Sequence, residues 1–265
     1  MSPCLSAVLL VLTCPTQEDL TPDWVTTEPE MPAEPAESET VTLFRGGGGG
    51  YLHTEKLPSG KEVTRIVIRG QVVLQEGIIE VFVCADGGKD YESAILCPCD
   101  VQQLDLAMVL HGMKKGRLRE REGVAVPGEG SRVIAFAQWK DEDGKLRTCR
   151  VEDLVHDRIG KRKMPRVGWT YVGAWEQDVD PNTGRPTGAK FLRAVRSRTL
   201  IATYHDTAAL LDNPLLRTAA DDQAYNANGL ALPPSGTPIR IILRLPTEQE
   251  RQEMERIEQE VAREP

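Results

Sequence analysis

The chain has 265 residues, 27% of them charged and 5% aromatic, with a formal net charge of −8. Residues 1–60 hold 2 basic and 9 acidic side chains, residues 246–265 hold 3 and 7, and residues 61–245 hold 27 and 24. The acidity therefore belongs to the two ends. The slightly basic middle is long enough for one ordinary core, and the acidity of the ends says little about its partners.

At the N-terminus, residues 5–12 form an apolar run that stops at Thr13-Cys14. The run is too short to cross a bilayer and has the shape of a bacterial lipoprotein signal, in which Cys14 becomes the lipid-bearing residue. It departs from that pattern in having no Lys or Arg before the run and Thr13 where Gly or Ala is usual. Residues 1–15 are thus signal-like, which predicts an extracytoplasmic protein, periplasmic or membrane-anchored, with membrane association through its N-terminus. The competing reading is the frayed apolar start of a cytosolic protein.

Residues 16–60 carry an acidic, proline-rich tract at 28–37 and a glycine run at 46–50. Neither offers enough apolar surface to offset the entropy of ordering it, so the segment is expected to be a disordered tether.

From residue 61 strands dominate. Residues 63–68 alternate, and 78–84 are apolar and β-branched throughout. Asp86-Gly87-Gly88-Lys89 is expected to turn that strand into an antiparallel partner at 91–97. Asp100, with Gln103 three residues on, starts a helix with Val101, Leu104, Met108 and His111 on one face. Ala107 and Leu110 widen its apolar stripe, and Gly112 ends it. Residues 131–139 and 145–151 read as a hairpin with a short helix after it near 152–157. Strands are predicted at 168–175, 190–196 and 199–205, a short helix near 207–211, and a last strand at 239–243. Thr247 with Glu250 caps a charged helix over 246–265. Its narrow stripe of Met254, Ile257 and Val261 is either a docking face or a partner-binding one. Together these elements predict an α+β fold: a mostly antiparallel sheet with a few helices on one face and a disordered N-terminal tail.

Several strings are similar to the YdjY-domain family of bacteria. They are residues 71–80, Gly88-Lys89-Asp90-Tyr91-Glu92-Ser93, the helix ending in His111-Gly112, Trp169-Thr170-Tyr171-Val172-Gly173, and residues 200–214. The resemblance spans residues 61–245. It implies a cell-envelope-associated domain without an established biochemical role, often found in secreted proteins or lipoproteins. A ferredoxin-like label sometimes attached to such proteins gains no support from this chain.

Candidate chemistry is sparse. Lys89, Tyr91, Glu92, Ser93, Tyr204, His205 and Asp206 are the binding candidates, because they lie in the two most family-like strings. A hydrolytic reading would combine Ser93 and His205 with Asp206 or Glu92. No G-x-S-x-G elbow is present, and Asp206 is also explained as a helix cap. Cys84, Cys97, Cys99 and Cys149 allow three readings: small buried residues, a disulfide of Cys149 with Cys97 or Cys99, or a metal or iron–sulfur site. Cys97-Pro98-Cys99 is a poor metal spacing, and in the hairpin register Cys84 and Cys97 stand at opposite strand ends. Asp178-Val179-Asp180-Pro181-Asn182-Thr183-Gly184 imitates a calcium loop but has Thr183 where that loop needs glycine, so it reads as a hairpin tip. Gly87-Gly88-Lys89 lacks the earlier glycine of a phosphate loop. The basic clusters, Lys114, Lys115, Arg117, Arg119, Arg121 and Arg158, Lys161, Arg162, Lys163, Arg166, read as solvated loops, with anionic headgroups or envelope polymers as their alternative partners. The reading is of a non-catalytic binding or structural module with no metal, cofactor or nucleic acid, and with an envelope or protein partner. An envelope enzyme built on Glu92, Ser93, His205 and Asp206 is the alternative, with a thiol-based metal or redox protein behind it.

Overall fold

The computed structural model describes residues 20–24, 40–44, 49–56, 62–116, 123 and 130–264. Strands β1 (Thr40–Phe44), β2 (Gly50–Lys56), β3 (Glu62–Val72), β4 (Gly77–Ile78), β5 (Val81–Cys84) and β6 (Ser93–Leu96) lead into helix α1 (Val101–Leu110). Next come β7 (Arg132–Lys140), β8 (Leu146–Arg150), β9 (Val155–Asp157), β10 (Arg162–Lys163), β11 (Trp169–Tyr171), β12 (Trp175–Val179) and β13 (Pro186–Leu192). Helix α2 (Arg193–Ser197), β14 (Thr199–Ala202), β15 (Leu211–Asp212), β16 (Tyr225–Ala227), β17 (Pro238–Arg244) and α3 (Glu248–Val261) complete the order.

Strands β3, β17, β7, β11, β15, β14, β5 and β6 pair in that sequence, and β6 returns to β3, closing an eight-stranded barrel. The protein is mostly β, so the expected α+β sheet with helices on one face is overturned. The error lies at Asp86-Gly87-Gly88-Lys89. Gly87 (φ 77°) does reverse the chain, but a single 3-10 turn at Asp90–Glu92 then reverses it again. Strand β6 therefore runs parallel to β5, with Val81 opposite Ser93 and Cys84 opposite Leu96. Its other edge meets β3, Gln71 to Leu96 and Val72 to Ile95. A hairpin would have extended the sheet; the double reversal closes it.

The closed sheet is apolar on both sides where it is longest. Ile66, Ile68, Val133, Ala135, Ala137, Ile241 and Leu243 belong to the main core, and an eight-stranded barrel is just wide enough to be filled by such side chains. The alternate residues Val67, Ile134, Phe136 and Ile242 form a second cluster with Tyr51 and Met254 on the opposite face. Helix α3 supplies Met254, so its narrow stripe is a docking face. Its capping box joins Thr247 and Glu250. Glu250 accepts two bonds from Arg244 (2.7 and 2.8 Å), Arg132 reaches Glu258 at 2.7 Å, and Arg162 holds Glu264 at 2.6 and 2.7 Å.

Part of the expected tether joins this body. Strand β2 pairs with β3 along its whole length, from Gly50–Ile68 to Lys56–Glu62, and buries Tyr51 and His53. Its weak hydrophobicity hid it, because it contributes only one aromatic to a cluster built by other strands. Leu20 to Trp24 also dock: Trp24 meets Trp139 edge-on at 5.8 Å, and the Asp23 carboxylate lies 3.0 Å from Lys163 and 3.2 Å from Arg166. Cys14, the acidic tract at 28–37, residues 46–48, Arg117, Arg119 and Arg121 lie outside the described residues.

Smaller expectations also change. The helix near 152–157 is a 3-10 turn (Val151–Leu154) running into β9, and the one near 207–211 is a turn over 207–210 leading into β15. The strand expected over 190–196 stops at Leu192, where α2 begins.

Candidate functional site

The two family-like strings are neighbours, because β14 flanks β5 and β5 flanks β6. The amides of Thr203 and Tyr204 donate to the Glu80 carbonyl at 2.9 and 3.1 Å. Lys89 bridges Glu80 (2.9 Å) and Glu92 (2.6 Å). Burial pushes the Glu92 carboxyl up, Lys89 opposes that, and the nearby Glu80 carboxylate adds to it. Burial works against the Lys89 ammonium, yet Glu92 and Glu80 together hold it above the ordinary lysine range. Tyr91 projects into solvent.

No hydrogen bond or ion pair joins the side chains of Glu92, Ser93, His205 and Asp206 to one another. Ser93 is fully buried and its hydroxyl donates to the Lys89 carbonyl at 2.6 Å. His205 is fully buried beside Asp212, its Nδ1 3.5 Å from Oδ2. Asp206 instead accepts the Ala208 amide at 2.7 Å, and burial pushes its carboxyl up.

All four described cysteines are free. The parallel β5–β6 pair corrects the hairpin register: the Cys97 amide donates to the Cys84 carbonyl at 2.8 Å, so these two residues are neighbours. Burial pushes the thiols up, that of Cys99 to about 12, so they pack as neutral groups. Cys149 sits apart, near Asp153 and Arg166. At the tip of the β12–β13 hairpin the Asp180 carboxylate accepts the amides of Asn182 and Thr183, which is turn chemistry. Among the described residues no three His, Cys, Asp or Glu side chains group so as to hold a metal ion.

A built concavity lies elsewhere, between α1 and the β12–β13 hairpin. Asp100 starts α1 by accepting the amides of Gln102 and Gln103. The helix then buries Val101, Leu104, Ala107 and Met108, but its outer face is also apolar: Leu106, Val109 and Leu110 are 49%, 44% and 71% exposed. Leu110, expected to widen the buried stripe, is thus among the outward residues. Across from α1, Trp175 and Leu192 are cross-strand partners, and Lys190 stands two residues before Leu192, on the same side of its strand. The cleft they enclose measures about 1010 Å³.

Its floor is a polar triad. The buried Asp105 carboxylate accepts from the Tyr171 hydroxyl at 2.5 Å and from Lys115 at 2.7 Å. The Lys115 ammonium lies 4.7 Å from the centroid of the Trp175 ring and 5.9 Å from that of Tyr171, a double cation–π placement. Burial and the Asp105 charge hold the Tyr171 phenol far above the tyrosine range, so it remains a donor. The preceding loop is fastened by Ser131, whose hydroxyl accepts the Lys114 amide at 2.8 Å, and by the Gly116 amide on the Tyr171 carbonyl at 2.7 Å. The result is an apolar slot with fixed charges at its base, an arrangement suited to holding a molecule.

The family model for the YdjY domain matches residues 60–244. This chain belongs to the YdjY-domain family. All eight barrel strands fall inside the YdjY domain, while β1, β2 and α3 lie outside it. Comparison with curated proteins and with solved structures found no match.

None of Lys89, Tyr91, Glu92, Ser93, Tyr204, His205 and Asp206 lines the cleft of this YdjY domain. Sequence reasoning missed Leu106, Val109, Trp175, Lys190 and Leu192. The available signal was α1 itself: a helix apolar all round is either wholly buried or has an uncovered face.

Proposed function

We propose that this YdjY-domain protein is a non-catalytic binding module of the cell envelope, which holds a small apolar or amphipathic molecule in the cleft between α1 and the β12–β13 hairpin. The observation that carries the reading is the outer face of α1, where Leu106 and Val109 stand exposed opposite a half-exposed Trp175 across about 1010 Å³. Soluble proteins rarely leave apolar walls around a slot of that size unless something occupies it. The envelope location rests on the apolar run ending at Cys14, which would carry the lipid anchor.

Titration of the purified protein with a neutral solvatochromic dye tests the cleft. Dye fluorescence should rise on binding and be lost in Leu106→Gln/Val109→Gln at an unchanged melting temperature. Absence of dye binding, or a dimer that masks this face in sedimentation, would overturn the reading. Membrane fractionation of wild type against Cys14→Ala tests the anchor, and equal soluble recovery of both would remove it.

A further inference from the structure

We propose that the cleft selects an anionic amphiphile, a single acyl-type chain ending in an acidic head. The inference rests on the binding reading above and adds the ligand's chemical class. Three lysines line the slot, Lys114, Lys115 and Lys190, against one acid, Asp105. Asp105 is already engaged by Lys115 and the Tyr171 hydroxyl, and it is buried beneath them. Lys114 and Lys190 have no ion-pair partner among the described residues, although both border the same apolar walls.

That combination discriminates between ligand classes. A neutral apolar molecule would fill the space between Leu106, Val109, Met113, Trp175 and Leu192 without using either free ammonium. A cationic head would meet uncompensated positive charge in a setting where water is partly displaced and Coulomb terms are strengthened. An acidic head gains two charge-assisted donors while its chain covers the exposed face of α1. At about 1010 Å³ the slot is the size of a small-molecule site, which favours an amphiphile over a polypeptide.

The test is calorimetric titration of the full chain with three probes of equal chain length, decanoate, decanol and decyltrimethylammonium, each below its micelle concentration. Decanoate should bind at least tenfold more tightly than decanol, and the ammonium probe should be the weakest. The decanoate preference should shrink with added salt. It should fall towards the decanol affinity in Lys114→Met/Lys190→Met, with Lys190→Met alone giving a partial loss and circular dichroism checking the fold of both. Equal affinity for decanoate and decanol, a preference for the ammonium probe, or a decanoate preference untouched in both variants would overturn this inference while leaving the cleft as a binding site. Failure of all three probes to bind would overturn the binding reading and this one with it.

Discussion

His205 stands beside Asp212 and not beside the carboxylate of its chain neighbour Asp206: Nδ1 lies 3.5 Å from the Asp212 carboxylate, and both side chains are wholly buried. Asp206 turns away to accept the Ala208 amide. The two carboxylates therefore have different roles despite standing six residues apart in one short segment. His205→Ala removes a fully buried ring and leaves its volume vacant, so it should lower unfolding free energy by about 3 kcal/mol. Asp206→Asn, which keeps an accepting oxygen, should change it by less than about 1 kcal/mol. Urea midpoints followed by circular dichroism compare the two, and equal losses would contradict these different roles.

Docking of α3 should depend on pH through Glu250. Burial pushes this carboxyl up, but the Arg244 guanidinium and the Thr247 amide and hydroxyl outweigh it and hold the group at about 2. A depressed carboxylate contributes stability that is complete above its unfolded value and is lost as pH falls through its folded one. Glu92, Asp153 and Asp206, raised by burial, act in the opposite sense, so the useful quantity is a difference. The stability advantage of wild type over Glu250→Gln should be full above about pH 4.5 and fade towards pH 2. Urea midpoints for both proteins across that range provide the measurement; a pH-independent difference would refute it.

Gly168, immediately before β11, lies against Met254 of α3. Its φ is 66°, and an added Cβ would stand 2.9 Å from the Val133 carbonyl oxygen and 2.9 Å from the Met254 sulfur. Gly168→Ala should cost about 2 kcal/mol through backbone strain and collision. Met254→Ala should cost a similar amount through the vacated volume. The double variant should lose less than the sum, because truncating Met254 removes one of the two clashes. Strict additivity in thermal or urea unfolding would show that the glycine does not face α3.

The fastening of residues 20–24 is testable apart from global stability. Lys163 bonds both the Asp23 carboxylate and the Thr21 carbonyl, each at 3.0 Å, and Asn228 donates to the Leu20 carbonyl at 2.8 Å. Arg147 lies over the Trp24 ring at 5.1 Å from its centroid. Asp23→Lys places like charges together at an exposed site, so it should shift overall stability by under about 1 kcal/mol. Chymotryptic cleavage at Trp24 should nevertheless accelerate severalfold, because local opening is governed by local contacts. Unchanged cleavage would mean that the segment is held by something other than this ion pair.

The contrast between legible and illegible features follows the range of the forces involved. The starts of both long helices could be read from Asp100 and Thr247, since a cap needs only the next three amides. The β7–β8 hairpin followed from its alternation and the turn at residues 141–144, and the Asp180 tip from turn chemistry. Strand β2 was hidden, because seven half-polar residues gain stability only once β3 offers an edge and an apolar face. The candidate site was partly legible: Lys114 and Lys115 stood out as cations, but nothing local tied them to Trp175 or Lys190.

By itself, then, the order of residues determined most of the barrel strands, the Asp100 and Thr247 caps, the β7–β8 turn and the family. Tertiary structure alone decided that a second reversal after Gly87 sends β6 alongside β5 and shuts the barrel on β3. It also decided which acid meets His205 and which face of α1 is left uncovered. Propensity and capping act over a few residues, whereas closure, charge pairing and residual exposure depend on where every other element has already packed.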